Sequence, residues 1–229
     1  MSTRAEQLPF PPRLPSEDEL PCDDAMPMES ARHRMQMELL LRGLELWSEA
    51  RGDVVANGNQ FLYFNTEHLR AQDFRGPDVY VAIGVRPGER KSWVVWQEGK
   101  APDVVVELLS ESTAGADKGE KLRIYRDQLR VPNYYWFDPF SPEDRAGFIL
   151  QGNSYLPLLP DGAGRLPVPS LGLKLGLWQG RYLGLDTQWL RWTDQDGHLL
   201  PLREEAERAR ADAAEAELAR LRAQLQQGR

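Results

Sequence analysis

Pro102-Asp103-Val104-Val105-Val106-Glu107-Leu108-Leu109-Ser110 is an almost unbroken valine run with a carboxylate set inside it. A run of this length and β-branching suits a strand covered on both faces. Strand alternation places Asp103, Val105 and Glu107 on one side and Val104, Val106 and Leu108 on the other. A buried carboxylate is rare unless it is paired or bound to a metal, so Glu107 asks for a partner. Asp103 opens the strand and reads as its cap.

Downstream, residues 114–130 return to helical spacing, with Leu122, Tyr125 and Leu129 on one face. A second strand follows, Asn133 to Phe137, and ends at Asp138-Pro139. Strand, helix and strand in this order predict a right-handed crossover and a sheet that is parallel at its centre. Upstream, Pro77-Asp78-Val79-Tyr80-Val81-Ala82-Ile83 predicts a further strand, with Ser92 to Trp96 another. Asp53 to Ala56, the Asn57-Gly58-Asn59 turn and Gln60 to Phe64 read as a hairpin. A helix is expected over 29–50, capped by Ser30 and carrying Met35, Leu39, Leu40, Leu44 and Trp47 on its apolar face. Residues 147–200 look like a β meander with strands at 147–150, 154–158, 180–185 and 188–192.

The fold class expected is therefore α/β: a mixed sheet of about five strands flanked by helices, a small antiparallel C-terminal β extension, and a helical tail. Three segments are expected. Residues 1–28 form a proline-rich acidic arm, 29–202 the main domain, and 203–229 a helical coiled-coil tail. Ser16 to Glu19 could cap a short helical turn inside that arm. In the tail, Ala211, Ala214, Leu218, Leu221 and Leu225 step by three and four, as a coiled-coil seam does. The seam covers about two heptads, so a solvated single helix is the competing reading.

The chemistry gathers at Asp78, Glu107 and a lysine. Carboxylate oxygens suit a hard divalent cation such as Mg2+ or Mn2+. Such a cation polarises a phosphate and activates water, and a lysine can steady the developing charge. Each residue also has a plainer reading. Asp78 could serve the turn after Pro77, Lys118 and Lys121 could be the solvent face of a charged helix, and Tyr125 could be core.

Taken together and in order, several pieces resemble the Uma-two family of PD-(D/E)XK, restriction-endonuclease-like proteins. They are the helix around Ala31-Arg32-His33-Arg34; Gly76-Pro77-Asp78; the 102–110 stretch; Asp117 to Lys121 with Tyr125; and Val131 to Pro139. The resemblance spans roughly residues 25–140, with weaker likeness to about 200. It implies that Asp78 and Glu107 are metal ligands and that both are catalytic together with Lys121. The family's usual lysine two residues after the second acid is absent, because position 109 is Leu. The resemblance places the lysine on the following helix, where Lys121 matches and Lys118 is the rival. His33 and Glu38, on the first helix, are weaker candidates. Arg123, Arg126 and Arg130 could touch phosphates, and the seven tryptophans read as core.

The expected function is metal-dependent hydrolysis of nucleic acid, with DNA the favoured substrate and a homodimer the expected assembly. The alternative is a nuclease-fold adaptor that acts through protein partners. Net charge bears on that choice. The chain carries −7, of which residues 1–30 hold −5, the tail 0 and residues 31–202 −2. Phosphate affinity ordinarily comes from Lys and Arg. The single Cys22 excludes an internal disulfide and a cysteine-based zinc site. With no signal-peptide pattern and no apolar run long enough to span a bilayer, a cytoplasmic location and no membrane partner are expected.

Overall fold

The structure, a computed structural model, describes residues 14–20, 30–65 and 74–227. Its centre is a six-stranded sheet built from β1 (Val54–Asn57), β4 (Val79–Ile83), β6 (Val104–Leu108), β7 (Asn133–Phe137), β8 (Arg145–Gln151) and β9 (Ser154–Pro157), in the order β1-β4-β6-β7-β8-β9. β6 and β7 are parallel, and the other neighbours are antiparallel. The crossover between β6 and β7 is helical, as the sequence predicts. It is made of α4 (Ala114–Ala116), a π-helical turn (Asp117–Lys121) and α5 (Leu122–Asp127).

Residues directly opposite in a sheet share a face, so the register sorts the core into two layers. Val79, Val81, Val104, Val106, Leu108, Tyr135 and Phe137 pack on one side. They are covered by Leu40 and Leu44 from the first helical segment and by a three-stranded antiparallel sheet of β10 (Leu166–Val168), β11 (Leu173–Tyr182) and β12 (Leu185–Thr193). Tyr80, Ala82, Val105 and Tyr134 pack on the other side, beneath Ile124 and Tyr125 of α5. Both faces are dry, which is why the valine run does not alternate with polar residues.

The sequence predicts one helix over 29–50; the structure has two, α1 (Ala31–Gly43) and α2 (Glu45–Arg51). Ser30 caps α1 as expected, its hydroxyl accepting from the His33 N–H. The break follows from tertiary contacts. Buried Gln36 bonds both backbone groups of Leu190, and Trp192 Nε1 donates to the Leu40 carbonyl at 2.8 Å. A Cβ on Gly43 would sit 3.2 Å from Trp192 Cδ1, so the helix meets that ring where it carries no side chain.

The predicted 53–64 hairpin is not formed. β1 pairs instead with β4, and β2 (Leu62–Tyr63) lies in a separate small sheet between β3 (Phe74–Arg75) and β5 (Trp93–Val94). The Asn57-Gly58-Asn59 segment turns toward Pro77-Asp78, with the Asn59 N–H donating to the Pro77 carbonyl at 3.0 Å. A Cβ on Gly58 would lie 2.3 Å from the Asp78 carbonyl oxygen, so the two backbones are in direct contact. Gly58→Ala should therefore cost about 1–3 kcal/mol, since backbone rather than a flexible side chain must give way. Urea denaturation checks this; an unchanged midpoint would show that the contact is loose.

Other boundaries shift too. The expected strand at 92–96 stops after Val94 and becomes the helical turn α3 (Val95–Glu98), closed by left-handed Gly99. The expected meander divides. β8 and β9 enlarge the main sheet, and β11 begins at Leu173, seven residues before the strand read from sequence at 180. Of the acidic arm, residues 14–20 are described, and the rest of 1–28 lies outside the described residues apart from this segment. Ser16 to Glu19 form a capped turn, with the Ser16 N–H donating to Glu19 Oε2 at 2.9 Å. The turn docks on the small sheet, where Trp96 Nε1 donates to the Pro15 carbonyl and Leu20 joins Phe61, Tyr63 and Val94.

The C-terminal helix α6 (Arg203–Gln227) starts on the domain and then leaves it. Glu205 reaches back to the Leu202 N–H at 2.8 Å, half of a capping box. It also takes two bonds from Arg191, a guanidinium only 2% exposed that lies over the Trp178 ring. From residue 207 to 226 every side chain is exposed. No helix among the described residues is long and apolar enough to cross a membrane.

Candidate active site

β4 and β6 run antiparallel with Val79 opposite Val106, so Asp78 comes level with Glu107 on the face covered by the crossover helix. The two carboxyls, twenty-nine residues apart in sequence, are brought side by side across the β4–β6 ladder. Each is fixed from behind. The Leu108 N–H donates to Asp78 Oδ2 at 2.7 Å, and the Tyr125 hydroxyl donates to Glu107 Oε1 at 2.8 Å. Glu107 is fully buried.

Lys121 comes down on this pair from the crossover helix. Its ammonium lies 3.2 Å from Glu107 Oε2 and 2.6 Å from Asp117 Oδ1. Lys118 goes elsewhere, to the Asp144 carboxylate at 2.6 Å and over the Trp136 ring. Asp117 is a residue that sequence reasoning missed. It is 1% exposed, and its Oδ2 has no hydrogen-bond partner. The available signal was the spacing of Asp117, Lys121 and Tyr125 at four-residue steps, which stacks them along one side of a helix. The π-helical turn spans the first two of these three, and such turns are common at functional sites.

The electrostatics follow from burial. Desolvation pushes the Glu107 carboxyl up to about 8, against the pull of Lys121, with Asp78 and Asp117 adding to the rise. Desolvation likewise raises Asp78 to about 6, against its bond from the Leu108 N–H and the Lys121 charge. Burial alone would lower Lys121, but Glu107, Asp117 and Asp78 hold it above the ordinary lysine range. Both acids are thus held above the ordinary carboxylate range chiefly by burial.

The remaining sequence candidates lie elsewhere. Asp103 caps β6, its Oδ2 accepting from the Ile83 N–H and from Lys100 Nζ. His33 is buried beneath α1, with Nε2 2.8 Å from the Leu109 carbonyl and Nδ1 2.8 Å from Ser30 Oγ. Glu38 is a half-exposed partner of Arg34. Arg126 pairs with Asp127, and Arg130 bonds Asn153 and Gly152. A groove of 610 Å³ beside His33, Ser110 and Phe140 has none of Asp78, Glu107 or Lys121 in its lining.

Half-buried Asp78 and fully buried Glu107, with Asp117 behind the lysine, make a donor set of hard oxygens, the set a divalent cation takes. The unpartnered Asp117 oxygen and the raised acids are both features that added positive charge would relieve. Among the described residues, one trio of acid and histidine ligand atoms lies within 4.8 Å of one another, Asp194, Asp196 and His198. It sits in the exposed turn after β12, where Asp194 bonds both the backbone and the ring of His198.

A family model described as "Uma2: Putative restriction endonuclease" matches residues 24–188, a stretch containing both acids, Asp117 and Lys121. A crystal structure of a putative nuclease belonging to DUF820, from Anabaena variabilis, is similar over 63% of this chain and 76% of its own, with 17% identity and a TM-score of 0.47. No curated protein matches.

Proposed function

The chain belongs to the Uma2 family of restriction-endonuclease-like proteins, and from that premise we propose that it is a cytoplasmic, metal-dependent endonuclease that hydrolyses DNA phosphodiester bonds and works as a homodimer. The observation that carries the reading is the fully buried Glu107, level with Asp78 and bridged to Asp117 by the Lys121 ammonium. Asp78 and Glu107 are the residues that would hold Mg2+ or Mn2+. The cation, when bound, supplies Lewis-acid charge at the phosphate.

This chain's own residues do the rest. Tyr125 holds one oxygen of Glu107 and leaves Oε2 to face the lysine. The Leu108 N–H holds one oxygen of Asp78 and leaves the other open to a cation. Lys121 places a cation beside the pair, where it can orient an attacking water and offset charge that grows on the phosphoryl oxygens. Asp117 holds that ammonium from the far side. With both acids ionised the site is net negative, which favours a divalent cation over a bare phosphate.

The test is a plasmid-cleavage assay with Mn2+, run beside Glu107→Ala and paired with Mn2+ titration calorimetry on both proteins. Cleavage and Mn2+ binding by the natural chain, with both lost in the variant, is the expected outcome. The −7 net charge and the leucine at position 109 favour a second reading, an adaptor that keeps the fold without cleaving. Absence of both Mn2+ binding and cleavage in the natural chain would select it.

A further inference from the structure

The part of α6 beyond the domain offers a ribbon of leucine left exposed among the described residues. Leu218, Leu221 and Leu225 are 53%, 45% and 75% exposed, although the helix that carries them is anchored firmly at its start by Arg191 and Glu205. Ala211, Ala214, Leu218, Leu221 and Leu225 alternate steps of three and four, so they fall on the inner positions of a two-stranded coil. The charged residues beside this seam decide what covers it. Arg210 and Glu217 flank it on one side, and Glu215 and Arg222 on the other.

In a parallel pair, the flanking residue on one side meets the residue five positions later on the second copy. Arg210 then meets Glu215 and Glu217 meets Arg222, and two-fold symmetry gives each contact twice. All four contacts are between opposite charges. In an antiparallel pair, Glu215 still meets Arg222, but Glu217 falls near Gln224 and Arg210 gains no acid. The charge pattern therefore selects a second copy of this chain in parallel orientation.

We propose that residues 210–225 of α6 form a parallel two-stranded coiled coil that holds two copies of the domain at the same end. This deepens the homodimer of the proposed reading, yet it rests on no part of the nuclease chemistry.

The test uses two full-length variants. Glu215→Arg with Arg222→Glu makes all four parallel contacts repulsive while leaving the antiparallel Glu215–Arg222 contact attractive. Arg210→Glu with Glu217→Arg does the same from the opposite side of the seam. All four residues are exposed, so the domain is untouched, and circular dichroism checks that the helix persists. In sedimentation equilibrium the natural chain should be dimeric at micromolar concentration, and each variant alone should dimerise at least about tenfold more weakly. Mixing the two variants should restore the dimer as a heterodimer, because every contact becomes complementary again. A natural chain that is monomeric overturns both the coil and the homodimer. A dimer indifferent to these exchanges overturns the parallel coil alone, and the nuclease assay stands apart from either result.

Discussion

Replacing Lys121 with alanine should lower metal-dependent DNA cleavage by about 10²–10³-fold, while Lys118→Ala leaves it within a few-fold. The two lysines are three residues apart and carry the same charge, so any general effect of the helix's charge on DNA binding is common to both. Only Lys121 touches the carboxyl pair; Lys118 is taken up by Asp144. Single-turnover cleavage at saturating Mn2+ separates loss of chemistry from loss of metal. Equal losses in the two variants, or a larger loss in Lys118→Ala, would remove Lys121 from the proposed role.

The second large effect concerns stability. Glu107 is raised by burial from 4.5 to about 8, and Asp78 from 3.8 to about 6. Between pH 4.5 and 8 the native protein thus holds protons that the unfolded chain has released. Metal-free protein should therefore lose stability as pH rises through that window. Glu107→Gln removes the group responsible for most of the slope. Its carbonyl can accept from Tyr125, while its amide takes the place of Oε2 facing Lys121, whose ammonium keeps Asp117 as its acceptor. The variant should be more stable than the natural chain at pH 8, by on the order of 2 kcal/mol, and nearly equal to it at pH 5, while losing cleavage. Denaturant titrations in chelator at both pH values test this. A natural chain whose stability rises between pH 5 and 8 would mean that the acids are already ionised and compensated within the fold. Added Mn2+ should oppose the same slope, because it favours the ionised pair.

The central crossover was legible from sequence because its signals are local. A valine run, a helix-spaced run and a second aromatic strand follow one another within forty residues. The burial of Glu107 was legible for a related reason, because its valine neighbours fix its depth, whereas Asp78, equally readable as a turn residue, was singled out only by the family resemblance. The hairpin was misread because residues 53–64 carry good turn chemistry, yet the turn's partner is the Pro77-Asp78 backbone, which local sequence cannot reveal. Asp117 was passed over because an acid among lysines on a helix looks solvated. Its backbone carbonyl accepts from the Tyr134 hydroxyl of the next strand, a contact that helical spacing does not reveal. Lys118 and Lys121 could not be separated by helical period alone, since three residues nearly close a turn. The largest shift inside 147–200 is at β11, which extends back to Leu173 because its first residues pair with β10, a partner that local sequence does not reveal.

The acids and the lysine also belong to different mechanical parts of the molecule. Glu107 lies within β6, laddered on either side, and Asp78 immediately precedes β4, so the pairing of β4 with β6 sets their separation. Asp117 and Lys121 ride on a π-helical turn, a geometry rarely kept for more than one turn. Half of the site is set by sheet pairing and half by a single helical turn, so a change that converted that turn into ordinary α-helix would shift the ammonium without moving either acid.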